Sequence, residues 1–487
     1  MANHTRQYDV IVIGAGPAGY IAAIRCAQLG LNTACVDNWT GKDGRHSLGG
    51  TFLNSGCIPA LALMESAKFY RMIRENTGDH GIRVSDVSLD VPRMIQRKDE
   101  IVQKLSGRIV ELFRSNRIHL VHGHGRLLPD RVVEITPVDR VTQAYELAAE
   151  HIILAAGSSS LDLETAPLVE NAIVDSLAAM NFDSVPDHLG IIGAGVIGLE
   201  HASVWTRLGS KVTLLDAQQD FLSFVDRQIA GEALALYRKN GLEIRSCARV
   251  TEARKMPASV SVVYEDPEGE HRISVDKLIV AVGRKPNSEG LAAPEADLLL
   301  DERGFVHVDE QRMTNLPGVY AIGDLIQGPM LAHKGSEEGI LVAEIIAGQK
   351  PSIKQAFIPN VVYTEPEIAW VGQTELQLKA SGEDIKIGIF PFEANISAQT
   401  AGHPEGMVKI ISNRQSDRIL GVHILGGFAA EMIGEAVLAM EFSASTEDLA
   451  RTVHASPSFS RTLHEAALAM ENRAFHGAPA ATGNDRH

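Results

Sequence analysis

Two glycine runs at matched spacing carry the first recognisable chemistry in this sequence, Gly14-Ala15-Gly16-Pro17-Ala18-Gly19 and Gly193-Ala194-Gly195-Val196-Ile197-Gly198. A glycine turn between a strand and a helix lets backbone N–H groups approach a pyrophosphate, while the helix N-terminus adds partial positive charge. Gly14, Gly16 and Gly19 are the candidates at one site, and Gly193, Gly195 and Gly198 at a second. Each run is followed by an acid at the end of the next apolar stretch, Asp37 after NTACV and Asp216 after KVTLL. Such a carboxylate accepts hydrogen bonds from a ribose and repels a 2′-phosphate. No arginine closely follows Asp216 (DAQQD), which favours NAD(H) over NADP(H) at the second site. The sulfur chemistry is sparse. The four cysteines, Cys26, Cys35, Cys57 and Cys247, show neither C-x-x-C nor C-x4-C spacing, so a structural zinc cluster or a disulfide framework is not indicated. Cys26 and Cys35 sit in apolar surroundings and read as small buried hydrophobes.

These residues need elements to position them. Tyr8 to Ile13 reads as a buried strand that runs into the first glycine turn, then into the alanine-rich helix IAAIRCAQLG ending on Gly30, then into a second strand. The same order recurs from Leu189 to Ile192 through LEHASVWTRLG to KVTLLD. One isolated GxGxxG is a weak signal; strand, glycine turn, helix, strand and acidic end, found twice, implies two dinucleotide sites. Between them a helix is expected over Val102 to Ser115 and a hairpin over Ile118 to Thr136. The apolar stretches 151–157 and 277–283 run into Gly157 and Gly283, and 319–324 ends on a Gly-Asp pair. Beyond Pro351 and Pro359 come strand patterns (MVKIIS, RILGVHILG) and then helical ones (AAEMIGEAVLAMEF, LHEAALAM), the texture of a separate α+β domain.

Bulk properties narrow the class. A chain of 487 residues exceeds one hydrophobic core, and 45% hydrophobic with 22% charged residues is an ordinary globular balance. A net charge of −16 argues against nucleic-acid and anionic-membrane surfaces, which call for basic patches, and leaves small molecules and protein as partners. No apolar run approaches bilayer length and the N-terminus lacks a signal-like core, so a cytoplasmic location is expected.

The order of segments resembles the flavoprotein disulfide reductases, dihydrolipoamide dehydrogenase and its relatives, from about Tyr8 to about Met470. The resemblance is carried by GAGPAG, GGT-x-LN-x-GCIP, the paired A-x-G strands, GAGVIGLE, AVGRKPN, VYAIGDLIQGPMLAHKGSEEG, VVYTEPEIAWVG and EMIGEAVLAMEF. It implies an α/β fold with two Rossmann-like dinucleotide-binding domains and a C-terminal α+β dimerisation domain. FAD would lie at the first fingerprint, held by 1–150 and 285–350, and NAD(H) at the second, held by 151–284. Residues 351–474 would pair two subunits in a homodimer, and 475–487 would be a mobile tail. Asp324 would hold the ribityl chain of the flavin, with Thr51 and Ala332 nearby and Gly157 and Gly283 among the cofactor-binding turns.

The resemblance breaks within one functional group of residues. Phe52 stands where the family has the outer cysteine of its C-x4-C pair, leaving Cys57 as the flavin-side sulfur. A disulfide needs two sulfurs about 2 Å apart, so a phenyl ring ends that relay. Leu61 replaces a lysine beside the flavin that pairs with a glutamate, while that glutamate, Glu200, is retained and needs another partner or a raised pKa. Ser456 and Arg461 replace the histidine and glutamate of an H-P-x-x-x-E element supplied across the dimer. His454 lies two residues early and reads as a structural or solvent-facing imidazole. Desolvation without a basic neighbour would leave Cys57 inert or weakly modulating.

The expected function is therefore an FAD-dependent NADH:acceptor oxidoreductase passing electrons from flavin directly to a quinone or another small acceptor. Phe52, Cys57, Glu200, Ser456 and Arg461 are the residues expected around the reaction. Two alternatives stand beside it: a dihydrolipoyl dehydrogenase-type protein of a lipoyl multienzyme system with little disulfide reductase activity, and a flavin-bound NADH-sensing or regulatory protein.

Overall fold

The computed structural model describes residues 7–139, 141–351 and 357–476, so the polar leader and most of the expected tail lie outside the described residues. The chain divides into two compact units, one of residues 1–163, 174–184 and 282–354, the other of residues 164–173, 185–281 and 355–487.

In the first unit, strand Tyr8–Ile13 lies between Thr33–Asp37 and Tyr145–Leu154, parallel to both, with Val12 opposite Cys35 on one side and Ile153 on the other. Val10, Ile11 and Val12 are wholly buried, as a parallel strand covered on both faces requires. Thr33–Asp37 pairs onward with His119–Leu128, and Val319–Ala321 joins the far side of Tyr145–Leu154. His119–Leu128, Val132–Pro137 and Tyr145–Leu154 form an antiparallel meander, which contains the expected hairpin. Helix Pro17–Gln28 packs on helix Ala332–Ile346 backbone to backbone: a Cβ on Gly339 would come within 2.6 Å of the Ala18 carbonyl oxygen.

The helix expected from Val102 begins at Val91. Asp90 caps it by accepting the Arg93 N–H at 2.9 Å, and Pro92 lies in the first turn, where a missing N–H is not needed. The polar surface of RMIQRKDE concealed that start. The stretch expected as a strand over 151–157 is the second half of Tyr145–Leu154, and Gly157 lies past its end.

In the second unit a parallel sheet runs Leu242–Arg245, Lys211–Leu215, His188–Ile192, Lys277–Val280. Helix Val196–Leu208 follows the second glycine turn and helix Arg227–Lys239 covers the sheet edge. A three-stranded antiparallel sheet, Arg249–Lys255, Val260–Asp266 and Gly269–Val275, is inserted before the last parallel strand. The same unit carries a five-stranded antiparallel sheet in the order Asn360–Val362, Glu367–Gly372, Ile419–Gly426, Met407–Asn413, Ile385–Pro391. Helices Ala429–Glu441, Thr446–Arg451 and Arg461–Ala469 accompany it. Phe390, Phe392, Val408, Val422 and Leu463 form its closed core.

Candidate active site

The two glycine turns have the same construction. A Cβ on Gly19 would sit 1.9 Å from the Gly14 carbonyl oxygen, and a Cβ on Gly198 would sit 1.9 Å from that of Gly193. Only glycine lets each helix start so close to its strand. The acids repeat as well. Asp37 accepts the Ala15 N–H at 2.9 Å and Asp216 accepts the Ala194 N–H at 3.3 Å, so each carboxylate is tied to the second residue of its own turn. The other oxygen of Asp37 takes the Trp39 N–H and faces His46 Nε2 at 3.3 Å; that of Asp216 takes the Gln218 N–H. His46 in turn stacks on His122, ring centroids 3.9 Å apart.

Around the first turn the structure gathers the residues expected to hold FAD. Gly50, on the short helix Gly50–Asn54 that carries Thr51 and Phe52, approaches Gly16 so closely that a Cβ would lie 2.7 Å from its Cα. Asp324 belongs to the turn Gly323–Leu325, and a Cβ on Gly323 would meet Ala18 at 3.1 Å. Helix Ala332–Ile346 clamps that turn from behind: Glu338 accepts the Gly323 N–H at 2.8 Å, and Lys334 donates to the Gly323 carbonyl at 3.1 Å. Glu338 is completely buried and is balanced by Lys334 and Arg312. Ala332 opens the helix, so its N–H is one of the first-turn donors. The glycine cradle, the helix starts and the oriented carboxylates fit a flavin dinucleotide.

Gly157 has φ +73°, and Asn287 of the AVGRKPN run closes its turn by donating its backbone N–H to Gly157 O and its side chain to Ala156 O, both at 2.9 Å. Gly283 accepts the Leu161 N–H at 3.0 Å. Asp324 accepts the Ser158 hydroxyl, which also receives Arg284 Nε. Ser158, Arg284, Asn287, Lys334 and Glu338 were missed as site residues. The signal for all but Ser158 was the dense run of polar residues inside the motif strings AVGRKPN and VYAIGDLIQGPMLAHKGSEEG, whereas Ser158 lies just past Gly157 and is joined to its partners only through the fold.

Cys57 is exposed and opens helix Cys57–Arg71 with Gly56 as its cap, so its sulfur sits at the positive end of the helix. None of the four cysteines is joined in a disulfide. Burial pushes the Cys26 thiol up to about 12 and the Cys35 thiol well above its ordinary value, which makes both poor nucleophiles. Phe52 is partly buried and packs against the core under the first helix.

In the second unit, Glu200 lies on helix Val196–Leu208 and accepts the Tyr363 N–H at 3.1 Å. Burial raises its carboxyl to about 7 against that hydrogen bond, so both a new partner and a raised value are present. Ser456 is exposed. Arg461 opens helix Arg461–Ala469 and reaches Glu465 at 3.5 Å, a carboxylate already taken by the Phe475 N–H and by His476. His454 has the structural role: Nε2 meets Glu435 at 2.5 Å and Nδ1 meets the Thr452 carbonyl at 2.9 Å. With an acceptor at each nitrogen the ring is held as imidazolium, and the Glu435 hydrogen bond raises its pKa. Among the described residues no cluster of three or more His, Cys, Asp or Glu is arranged to hold a metal ion.

Comparison with known proteins agrees with this geometry. Residues 8–339 match the pyridine nucleotide-disulphide oxidoreductase family, and residues 358–467 match that family's dimerisation domain. A dihydrolipoyl dehydrogenase of Cupriavidus necator is 46% identical over 472 residues, covering 96% of this chain and 99% of the relative. The human mitochondrial dihydrolipoyl dehydrogenase is 40% identical over 470 residues, covering 95% and 90%. Among solved structures, the Cu(II) complex of the HOCl-induced flavoprotein disulfide reductase RclA from Escherichia coli superposes with a TM-score of 0.83. It is 26% identical and covers 95% of this chain and 99% of that one. LpdA from Mycobacterium tuberculosis, at 24% identity and a TM-score of 0.85 over 94% and 98%, shares the fold. Two dinucleotide turns, the clamped Gly-Asp turn and a C-terminal dimerisation domain thus place the chain in the pyridine nucleotide-disulphide oxidoreductase family, as an oxidoreductase that uses FAD and NAD(H).

Proposed function

We propose that this chain is a dihydrolipoyl dehydrogenase-like NADH:acceptor oxidoreductase in which electrons leave the flavin directly for a quinone or another small acceptor, without a disulfide relay. The observation that carries the reading is Phe52, a core-packed aromatic in the seat where the resemblance puts the outer sulfur, five positions before the exposed Cys57. Two other cysteines are locked in the core by burial, which supports Cys57 acting alone on the flavin side. Bound FAD supplies the two-electron chemistry, taking hydride from NADH and releasing electrons to the acceptor.

In this reading the glycine turns with Asp37 and Asp216 bind the two dinucleotides, and Asp324 with Thr51, Ala332, Gly157 and Gly283 orients the flavin. Residues 1–150 and 285–350 hold FAD, 151–284 hold NAD(H), and 351–474 form the interface of a homodimer. Ser456 and Arg461 of the partner subunit then face the acceptor beside Phe52, where a guanidinium suits an anionic acceptor. Cytoplasmic location goes with this assignment. An anaerobic NADH titration of the purified holoprotein tests it: two electrons taken up per subunit, followed by fast reoxidation with a quinone, is the expected result. Robust lipoamide reduction by the native protein, or uptake of four electrons, sinks it.

A second reading is favoured by a specific finding, the 40–46% identity to dihydrolipoyl dehydrogenases over nearly their full length. In it the chain keeps a lipoyl-protein partner of a multienzyme system while having little reductase activity. Restoring Phe52→Cys together with Ser456→His and Arg461→Glu should then bring lipoamide reduction back in one step.

A further inference from the structure

The loop that follows Asp37 folds back as a small hairpin. Thr40 and His46 form an antiparallel bridge, Gly41 donates its N–H to the Arg45 carbonyl at 2.7 Å, and Ser47 donates to the Trp39 carbonyl at 3.1 Å. That turn delivers His46 onto two partners at once. Its Nε2 faces Asp37 Oδ2 at 3.3 Å, and its ring lies flat on His122, centroids 3.9 Å and planes 10° apart. His122 comes from strand His119–Leu128, where it is paired in register with Asp37 itself. The same strand holds the loop twice more, His122 Nε2 meeting Thr40 Oγ1 and His124 Nδ1 meeting the Asn38 side chain, both at 3.4 Å. The Asp37 side chain is 8% exposed and that of His46 14%, so the ring pair closes over a carboxylate largely removed from water.

Two charged imidazole rings in face-to-face contact repel, whereas one charged ring on a neutral one is held by the carboxylate beside it. The groups acting on His122 are His46 and Asp37, with Val138 on the meander side sending its N–H to the His122 carbonyl at 3.5 Å. Lys42, Asp43 and Arg45 on the hairpin, and His124 on the strand, are exposed to water. Burial first, and His46 second, hold the His122 imidazole below its ordinary value, against Asp37 and the backbone of Asn38. The stack therefore accommodates one proton and resists another. The second dinucleotide turn supplies the contrast: Asp216 takes the matching N–H bonds from Ala194 and Gln218, but the stretch after it, 217–226, contains no histidine.

We infer that His46 and His122 are positioning residues for the first dinucleotide: their stack, carrying a single proton against Asp37, pins the 38–48 loop around the ribose acid, and a second proton parts the rings and loosens the grip on FAD. The step is a protonation alone. A ring nitrogen of His122 takes a proton from solvent, one N–H bond forms, and no electrons are exchanged. Retention is full above the ordinary histidine value of 6.5 and falls as pH drops below it, toward the lower value of the buried ring. The inference rests on the proposed assignment of FAD to the first turn, and adds to it a proton dependence that the NAD(H) turn does not share.

Two measurements on the FAD-loaded protein test it. Flavin released on gel filtration is followed by fluorescence between about pH 7.5 and about pH 5, with circular dichroism as the check on folding, for wild type, His46→Gln and His122→Phe. The expected wild-type result is roughly tenfold weaker FAD retention at the acid end, with NAD+ binding unchanged. His122→Phe keeps a flat ring that takes no proton and should hold FAD equally at both ends; His46→Gln keeps a neutral donor for Asp37 and should lose most of the dependence. Histidine C2–H exchange, read residue by residue by peptide mass spectrometry, is the second measurement, and the His122 midpoint should rise by about one pH unit in His46→Gln. Equal wild-type retention at both ends, the same acid loss in His122→Phe as in wild type, or a His122 midpoint unmoved by His46→Gln overturns the inference. The exchange profile needs no cofactor, so a chain that holds no FAD at any pH would defeat the cofactor assignment while the profile still decides the stack.

Discussion

Glu200 carries a sharp consequence of a small change in company. Its carboxyl is raised from 4.5 to about 7 by burial, with one backbone N–H to offset the loss of water. The folded protein therefore keeps a proton that the unfolded chain gives up near 4.5, so stability falls as pH rises from there through about 7 and is flat above. Glu200→Gln should abolish that slope, a relative gain of roughly 2 kcal/mol at pH 8 over pH 4 after allowing for partial exposure, read by urea denaturation at both values. His454 has the same sense with pH but from a gained partner rather than from burial. Its raised pKa means the contribution of the pair with Glu435 is complete below the unfolded histidine value, near 6.5, and is lost as pH rises through the folded one. His454→Gln should destabilise the protein at pH 5.5 and leave it nearly unchanged at pH 9. Equal losses at the two pH values would show that packing, not charge, is what the ring supplies.

At the scale of elements, helix Ala332–Ile346 braces the Gly323–Leu325 turn, which the proposed function assigns to FAD. Lys334 and Glu338 lie one turn apart on its inner face and grip the carbonyl and N–H of Gly323. Glu338→Ala would strand two cations and a buried N–H, and removing one member of such a buried set costs about 3–5 kcal/mol. The expected outcome is loss of FAD retention with the NAD(H) site intact, measured by flavin fluorescence after gel filtration and by NADH binding. The contrast with the glycine turns shows what sequence can carry. Strand, turn and helix there are local, and the last glycine of each run is demanded by a clash with the first glycine of the same run, so both turns and both acids were readable. Arg284 with Ser158, Lys98 with Asn181 and His454 with Glu435 are joined only by the fold, across gaps that no periodicity encodes. The start of helix Val91–Ser115 was hidden differently, since its cap is clear but its first turns are mostly polar.

At the scale of the molecule, the second unit is pinned by one ion. Lys409 is 1% exposed and donates to Asp226 at 2.8 Å and Glu375 at 2.6 Å. His423 lies opposite it in the neighbouring strand and is lowered to about 4 by burial, so it stays neutral beside the lysine. Lys409→Met should cost about 3–5 kcal/mol by leaving the buried Asp226 without its cation, while Glu375 keeps Lys379. The measurement is differential scanning calorimetry: loss from the transition of the second unit with that of the first unit unmoved is expected. Among the described residues no helix is long and apolar enough to cross a membrane. With a net charge of −16, encounter with an acceptor depends on salt in a predictable sense. An anionic quinone analogue should react faster as ionic strength rises, and a neutral one should be indifferent.

The tethering of Asp37 to Ala15 and of Asp216 to Ala194 bears on how the two nucleotides arrive. In the proposed assignment each acid is already aimed by its own loop, so neither site would have to spend conformational freedom arranging an acceptor for an incoming sugar hydroxyl. Neutralising either acid by Asp37→Asn or Asp216→Asn would keep an oxygen for the loop N–H and leave the hydroxyl a partner of similar shape but without charge. Weakened nucleotide capture at that address, with slower loading and faster escape, would follow at one end of the chain while the other kept its grip.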